Sequence, residues 1–463
     1  MGALVYSAEH RGWIYSAHAK QVSFPALDGK LRIDDESLAV AGDDFGHLIE
    51  ARPIAILEPA TVEDILRVIG FAIDNGIALG ARGQGHTAYG QSQVRAGILI
   101  NMRGLLTPPE FGEGWLKVSA GYTWREVLKI ALERGLTPPV LTHNPGLSVG
   151  GTLSVGGLDA GSHRYGAQID NVLELEIVTG EGRLEVCSSA EKPDLFNAIL
   201  GGQGQCGIIV RAKLKLIPAP FFGRRYRFFY PDLNALLEDM ARLLEDRRFS
   251  RFVAEIVPSP IGGWIYFIEA VLFFSPDLEP DESSLLSGLQ YSSRMEQAPV
   301  TSYLDIVDRV PLLQALETSG RINLPHPWFD MFLPGATIGQ FSSEVFKSMT
   351  REDLGEDFPV TISAHDTSLF RHPLLRSPDG PSAYLFDLQR TAPDKVKGAS
   401  MVEKNKELYS YAKDLGGSLY PIGAVPLSKA DWQSHYGQAW EKFCVAKKKY
   451  DPAGILAPGP GIF

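Results

Sequence analysis

Residues 81–91 read ARGQGHTAYGQ and form a glycine-rich loop between two predicted strands, Ile77–Ala81 and Ile98–Asn101. Alternating glycines let the backbone come close to a flat or charged ligand and donate N–H groups to it. The loop lacks a following GK[ST] and does not open a helix, so it is neither a P-loop nor a Rossmann fingerprint. A lone loop histidine is usually just a polar residue. The glycines around His86 favour a ligand contact instead.

Two further glycine runs have the same character. PGLSVGGTLSVGG spans residues 145–157, and GGQGQCGII spans residues 201–209. Small hydroxyl residues among glycines suit a pyrophosphate or flavin held by backbone and hydroxyl donors, although a turn-rich structural loop is the alternative. Three such loops in the first half of the chain indicate one extended cofactor.

Residues 50–220 alternate between strands and helices. Pro53–Pro59 is an apolar strand candidate, and a helix starts at Thr61, where Asp64 completes a weak capping box. A second N-cap opens a helix at Thr123–Arg134, after a strand at Leu116–Ser119. Such alternation predicts an α/β or α+β layer architecture.

The composition changes after Pro218–Pro220. Arginines alternate with aromatic residues over 224–230, which predicts an edge strand of a new domain rather than a nucleic-acid surface. Further on, the pattern predicts a helix and two strands, and then a helix from Trp432 followed by a Pro/Gly-rich tail. The predicted helix and strands are Leu233–Asp246, Ile265–Phe274 and Ala383–Gln389.

The bulk numbers exclude several classes of protein. A chain of 463 residues is too long for one ordinary core. A net charge of −11 argues against nucleic acid or an anionic membrane as partner. No signal-peptide core or apolar membrane span is visible, so a soluble, cytoplasmic protein is expected. The three scattered cysteines (Cys187, Cys206 and Cys444) support neither a disulfide framework nor a metal site.

Ordered segments along most of the chain resemble the cytokinin dehydrogenases, within the vanillyl-alcohol oxidase superfamily of PCMH-type FAD-linked oxidases. The resemblance rests on both the residue identities and the spacing of these segments. They lie at 43–59 (DDFGHLIEARPIAILEP), 81–91, 148–157, 163–182, 194–220, 265–270 (IYFIEA), 324–334 (LPHPWFDMFLP) and 450–463.

The resemblance implies an α+β fold in three stretches. Residues 1–220 would form a PCMH-type FAD-binding domain of two subdomains, with its core at about 50–220. Residues 221–425 would form a substrate domain, an antiparallel sheet covered by helices. Residues 426–463 would return to the FAD-binding domain.

The resemblance also implies FAD as cofactor, joined through its 8α-methyl carbon to His86. Relatives with two covalent links place a cysteine before the VGG motif, where this chain has His143 to Gly146 and no cysteine. A single link is therefore expected. The other residues expected to contact FAD are Arg82, Gly83, Gln84, Gly85, Thr87, Gln91, Ser148, Gly150, Gly151, Ser154, Gly204, Ile208 and Tyr420, with Gly201 and Gly202 beside them. The family's serine and glutamine near the C-terminus are Ala457 and Pro460 here.

The main departure from the family lies at the catalytic position. Cytokinin dehydrogenases carry Thr-Asp-Tyr, whose aspartate accepts a hydrogen bond from the amine being oxidised, whereas this chain has Thr142-His143-Asn144. A neutral His143 can act as the base near neutral pH. The alternatives are a different substrate or a site with changed chemistry.

Three more residues match family positions around the substrate. Glu269 corresponds to a glutamate near the channel mouth and is the second catalytic candidate, with a structural salt bridge as the alternative. His326 and Trp328, in PHPW, correspond to a segment beside the substrate cavity. The alternative there is that the two prolines simply fix a rigid turn.

Three functions remain open from the sequence. The first is FAD-dependent oxidation of a CH–NH bond in a small cytokinin-like secondary amine, with oxygen or a quinone as electron acceptor. The second is a flavin oxidase of an alcohol, phenol or amine in natural-product chemistry, which the altered triplet favours. The third is a flavin-binding protein without turnover. None of the three requires a metal.

Overall fold

The computed structural model describes residues 4–7, 12–15, 20–22, 24–276, 281–308, 310–354 and 359–463. Its first three strands form a small antiparallel sheet. They are Leu4–Ser7, Gly12–Tyr15 and Lys20–Val22.

A four-stranded sheet opens the first half and carries the loop at 81–91. In spatial order its strands are Lys30–Arg32, Ala55–Glu58, Ile98–Asn101 and Leu79–Arg82, the last three being parallel. The predicted helix follows as Val62–Asn75, and its capping box is confirmed. Thr61 Oγ1 accepts from the Asp64 N–H at 3.3 Å, and Asp64 Oδ2 accepts from the Thr61 N–H at 3.2 Å.

A five-stranded antiparallel sheet forms the second layer of the first half. In spatial order its strands are Leu184–Cys187, Val172–Thr179, Gly207–Lys215, Trp115–Ser119 and Glu110–Gly112. Helix Trp124–Leu132 begins at the predicted N-cap, where Glu126 completes a second capping box with Thr123. The second glycine run lies on the short helix Val149–Leu153.

The second half contains a large antiparallel sheet, for which the described residues supply nine strands. In order they are Met295–Gln297, Phe222–Tyr230, Trp264–Phe274, Arg251–Pro258, Val360–Asp366, Ser382–Leu388, Phe329–Pro334 and Ser418–Leu419, with Thr301–Ser302 also on Phe222–Tyr230. Helices Leu233–Asp246, Ile338–Ser348 and Lys395–Asp414 pack on one face. Together with the first half, this sheet confirms the predicted α+β architecture. The domain limits at residues 220 and 425 stay predictions.

The remaining elements are short. The helices are Asp35–Ala41, Ser162–Tyr165, Pro193–Ile199, Glu282–Leu286, Tyr303–Val307, Pro311–Thr318, Arg351–Leu354, Lys429–Tyr436 and Trp440–Tyr450. The 3-10 turns are Met102–Gly104, Gln168–Asn171, Arg321–Asn323, Thr367–Leu369 and Gly437–Ala439. A two-stranded ladder joins Leu136–Thr137 to Ile217–Pro218.

Two sequence predictions were wrong in detail. The arginine-rich strand Phe222–Tyr230 is not an edge strand, because Met295–Gln297 and Thr301–Ser302 pair along its outer side. The C-terminal helix is interrupted at Gly437, whose φ of +50° ends Lys429–Tyr436 before Trp440–Tyr450 begins.

The C-terminal tail returns to the first sheet. The Leu79 N–H donates to the Ile455 carbonyl at 2.7 Å, and the Ala457 N–H donates to the Leu79 carbonyl at 2.8 Å. Lys447 fixes the same tail, because its buried Nζ donates to Asp451 at 2.7 Å and to the Leu456 carbonyl at 3.2 Å. The two ends of the described chain therefore build one half of the molecule.

Candidate active site

A cavity of about 630 Å³ lies between the glycine loops and the face of the large sheet opposite its three long helices, with the short helices Tyr303–Val307 and Pro311–Thr318 also contributing to its lining. This volume is in the range of sites that enclose a small molecule or cofactor. Apart from Gly201 and Gly202, all residues that were predicted to contact FAD line this cavity. They are Arg82, Gly83, Gln84, Gly85, His86, Thr87, Gln91, Ser148, Gly150, Gly151, Ser154, Gly204, Ile208 and Tyr420, joined by His143, Glu269 and Trp328.

The first two glycine runs touch each other at the cavity wall. A Cβ on Gly83 would lie 1.9 Å from Ser148 Oγ, so only glycine fits there. Within the described chain, the backbone N–H groups of Gln84, Gly85 and His86 donate to no protein acceptor. Gly85 has a φ of +67°, which turns this backbone toward the cavity. Such a row of free donors suits the phosphates of a dinucleotide.

Two buried glutamines give a second test of the fit to FAD. Gln93 donates to the Ile49 carbonyl at 3.0 Å and Gln203 donates to the Tyr436 hydroxyl at 3.0 Å. Both Oε1 atoms lack a partner among the described residues, and both side chains line the cavity. Buried acceptors without donors are rare in native proteins. Ligand hydroxyl or N–H groups, as FAD carries, would complete them.

His86 stands at one end of the cavity in an aromatic surrounding. Its ring lies 4.0 Å from the Phe45 ring and 5.8 Å from the Trp328 ring, measured between centroids. Burial, assisted by neighbouring His326, lowers the pKa of His86 to about 4. The imidazole is therefore neutral near pH 7. No hydrogen bond from another described residue occupies either ring nitrogen.

His143 projects from its loop into the cavity, with its side chain open to the cavity space but enclosed by protein beyond it. Thr142 and Asn144 shape the turn, since Thr142 Oγ1 donates to the Asn144 carbonyl at 2.8 Å. Burial lowers the pKa of His143 to about 4, with Arg251 adding to the effect and Asp159 opposing it. Water in the cavity moderates this shift, but the direction keeps the ring neutral at pH 7.

The facing sheet is strongly charged. Arg225, Arg227, Arg251, Glu255 and Glu269 all line the cavity. Arg227 pairs with Glu269 at 3.1 Å, directly across two neighbouring strands. Arg251 pairs with Asp159 at 3.3 Å. Glu269 thus lies in a salt bridge that also faces the cavity, and its catalytic role stays a prediction.

Sequence reasoning found Glu269 but missed the other charged residues on this sheet. The signal was available in the strand at 222–230, because Arg225 and Arg227 alternate with buried Tyr226 and Phe228. Period-two alternation places the two arginines on one face. The edge-strand prediction did not foresee that this face lines the cavity.

Some expected contacts do not reach the cavity. His326 is fully buried behind it, with Nδ1 at 3.1 Å from Thr391 Oγ1 and its ring stacked 4.4 Å from Phe45. It therefore supports Phe45, which in turn contacts His86, rather than touching a substrate. Gly201 and Gly202 also lie off the cavity wall. A Cβ on Gly202 would meet the Ala198 carbonyl at 1.9 Å, so this glycine serves helix packing.

Tyr420 closes the cavity at the end of the large sheet. Its hydroxyl accepts from the Gly157 N–H at 3.1 Å, which ties the sheet to the second glycine run. Burial raises the pKa of Tyr420. Among the described side chains, no group of three or more His, Cys, Asp or Glu is placed to hold a metal. None of the helices described is both long and apolar enough to cross a bilayer.

Comparison with known proteins agrees with this site. The profile "Cytokinin dehydrogenase 1, FAD and cytokinin binding" matches residues 225–463, and an FAD binding domain profile matches residues 53–188. The chain is 36% identical to an uncharacterized oxidoreductase, ORF5 in the fasciation locus, of Rhodococcoides fascians, over 94% of this chain and 99% of that protein. It is 31% identical to cytokinin dehydrogenase 6 of Oryza sativa subsp. japonica, over 95% and 92% of the two chains.

The fold has a close structural counterpart. The crystal structure of 6-hydroxy-D-nicotine oxidase from Arthrobacter nicotinovorans superposes with a TM-score of 0.73 at 18% identity, covering 96% of this chain and 99% of the other. Fold and cavity together define an FAD-dependent oxidoreductase of the PCMH-type class. Within that class, the chain belongs to the cytokinin dehydrogenase family.

Proposed function

We propose that this enzyme oxidises a C–H bond next to an N–H group in a small cytokinin-like secondary amine. The carbon would give up a hydride and the nitrogen a proton, leaving an imine that water hydrolyses to an amine and an aldehyde. Bound FAD would supply the hydride acceptor. The observation that carries the proposal is one cavity that joins the predicted FAD loops to His143 and a polar sheet face.

His86 would hold FAD covalently through a single link. A nitrogen that forms this bond needs a free lone pair, and the lowered pKa of His86, about 4, keeps its imidazole neutral. The Phe45 and Trp328 rings restrict the imidazole to one place. Cys187 and Cys206 are buried and do not line the cavity, and the loop before the VGG motif holds no cysteine for a second link.

His143 would hold or remove the substrate proton. The neutral ring has a free lone pair, but the imidazolium that forms would be disfavoured by nearby Arg251 and favoured by Asp159. A base whose pKa lies well below the working pH gains less from proton transfer than one tuned near it. His143 therefore fits either a weak base or a hydrogen-bond acceptor that orients the amine.

Anaerobic mixing with isopentenyladenine tests the proposal directly. Oxidation of this secondary amine bleaches the visible flavin absorbance, and adenine with an aldehyde should appear in equal amounts. If the absorbance is unchanged at saturating substrate, cytokinin oxidation is rejected. Admitting oxygen or a quinone to the reduced enzyme then identifies the acceptor from the rate at which the absorbance returns.

A second candidate is oxidation of a natural-product alcohol, phenol or amine. The charged sheet face favours it, because Arg225, Arg227 and Arg251 offer donors to a polar, oxygen-bearing substrate. Bleaching by such a compound but not by isopentenyladenine would establish this function. An enzyme that binds FAD but is reduced by none of these compounds would be a flavin-binding protein without turnover.

A further inference from the structure

Three carboxyl groups form one row across the large sheet. Asp330 lies directly opposite Asp387 on neighbouring antiparallel strands. Asp387 is opposite Thr361, and Thr361 is opposite Glu255. All four side chains line the cavity. We call Glu255, Asp387 and Asp330 the carboxyl row.

The carboxyl row is buried and incompletely hydrogen-bonded. Asp330 has no solvent exposure, and its hydrogen-bonding neighbour is the Asp387 carboxyl, with which it can share one proton. No other group in the described part of the protein donates to Asp330 or to Asp387 Oδ1, although Asp387 Oδ2 accepts from Gln389 at 2.8 Å and from Thr361 at 3.4 Å. Burying a carboxyl without donors costs several kcal/mol. Such a feature persists when a ligand supplies the donors.

Arginines lie near the Glu255 end of the carboxyl row but do not pair with its two aspartates. Glu255 faces Glu269, which repels it, and Arg227 and Arg225, which attract it. Asp330 and Asp387 face each other and the Tyr420 hydroxyl, and no arginine or lysine of the described chain forms an ion pair with either aspartate. Burial raises the pKa of Glu255 to about 7 and that of Asp387 to about 6, and burial together with the neighbouring Asp387 raises the pKa of Asp330 well above its usual range.

We propose that the carboxyl row binds an amine or amidine group of the substrate through its N–H donors. A shared proton leaves the aspartate pair with one negative charge and with a carboxyl oxygen that still has no donor, and a neutral hydroxyl would supply the donor but not the charge. An anionic group would be repelled by the aspartates. The described side chains also form no cluster suited to a metal ion. A cationic nitrogen group would supply the missing N–H donors and would also neutralise the negative charge of the aspartates.

This inference rests on the proposed function only in that it takes the cavity for the substrate site. It adds which part of the wall selects the substrate: the sheet's acidic row, whose two aspartates lie on strands beyond the arginine-bearing ones. Binding of a nitrogen cation can be measured without turnover. A failure of amine oxidation therefore leaves it standing, and a failure of nitrogen binding leaves oxidation standing.

The first experiment compares two probes of the same shape on the wild-type holoenzyme. Benzamidine carries N–H donors and a positive charge, and acetophenone carries neither. Perturbation of the flavin spectrum, or calorimetry, gives both dissociation constants. We expect benzamidine to bind about tenfold or more tightly than acetophenone, as for hydrogen bonds to charged groups. Equal affinities would overturn the proposal whatever the variants do.

Proton release gives a readout that a structural role would not move. A bound cation lowers the pKa of the carboxyl row, so protons held by Asp330, Asp387 and Glu255 leave on binding. Calorimetry of benzamidine near pH 6 in two buffers of different ionisation enthalpy measures this release. If the measured binding enthalpy is the same in both buffers, no proton is released and the proposal is contradicted.

Two variants locate the effect. Asp387→Asn and Glu255→Gln keep size and should each weaken benzamidine about tenfold, leaving acetophenone unchanged. Glu296→Gln removes an exposed carboxyl from the same sheet and should change neither constant. Flavin content of each variant shows that the cavity is intact. Unchanged benzamidine binding in both row variants would overturn the assignment, and if one fails to fold the other still decides.

Discussion

Asp387→Asn should make the enzyme more stable at neutral pH. The ionised Asp387 is buried opposite Asp330, and its pKa of about 6, in place of the usual 3.8, arises mainly from burial. That difference corresponds to about 3 kcal/mol of lost stability at pH 7.5. The asparagine keeps an oxygen for Gln389 and Thr361 and adds N–H donors toward Asp330, whose hydrogen-bonding neighbour in the wild type is Asp387 itself.

The pH dependence fixes the sign of this effect. Between pH 4 and 6 the folded Asp387 holds a proton that the unfolded chain has released, so wild-type stability falls as the pH rises through this window. The gain from Asp387→Asn should therefore be about 3 kcal/mol at pH 7.5 and about half of that at pH 5. For a chain of this length, 1 kcal/mol moves Tm by about 1 °C.

Thermal unfolding of the FAD-loaded proteins at the two pH values measures the prediction. Glu296→Gln is the matched control, because its carboxyl lies exposed on the edge strand of the same sheet. A Tm for Asp387→Asn at or below the wild type at pH 7.5, or a gain that does not shrink at pH 5, would refute the reasoning. A substitution at a functional site commonly raises the stability of the protein while it weakens ligand binding.

Three further variants test the cofactor side of the cavity. His86→Ala should leave FAD extractable by acid precipitation, whereas wild-type flavin stays with the protein pellet; flavin that remains bound in the variant rules out this link. His143→Ala should slow anaerobic flavin reduction about a hundredfold or more while changing substrate affinity little, and an unchanged reduction rate removes His143 from the reaction. Gly83→Ala should sharply reduce FAD content, because its Cβ would meet Ser148 Oγ at 1.9 Å. Gly70→Ala, with open space around its Cβ, should not; equal losses would contradict this account.

Local hydrogen bonding explains what the sequence predicted well. The helices after Thr61 and Thr123 begin where each threonine side chain accepts a hydrogen bond from the backbone N–H three residues further along the chain. The helix Leu233–Asp246 and the strand Ile98–Asn101 were predicted with their observed bounds. For the helices the deciding contacts lie within one element, and for the strand the continuous apolar run was signal enough, so a short window of sequence holds the information.

The three glycine runs needed more than local sequence. The three runs together indicated one extended cofactor, but not which of their residues face it. The family resemblance supplied that, and the structure brings the loops together at one cavity. It also separates Gly204, on the cavity wall, from Gly202, which packs against a helix end, and from Gly201, which packs against Leu374 and Leu375.

The carboxyl row could not be predicted from sequence, because it depends on the register of four strands. A shift of one residue in any strand would turn its carboxyl to the helix-covered face. Asp330 and Asp387 did leave a local signal, since each interrupts an apolar strand, FDMFLP and SAYLFDL. A charged residue in such a strand needs a partner or a function. His326 is the opposite case. It matches a family motif position and was expected beside the substrate, but its side chain lies behind the cavity wall.

The return of the tail to Leu79 has a consequence for how the protein is made. Residues 455–457 border the first sheet, while nearly all of the large sheet lies between them and Leu79 in the chain. During synthesis on the ribosome, the loop at 81–91 would therefore emerge early but gain its neighbouring tail only after residue 457. The cofactor half cannot be completed before residues 455–457 have been made. FAD loading should accordingly follow synthesis of the large sheet, with the cavity wall at Ala457 and Pro460 the last part to close.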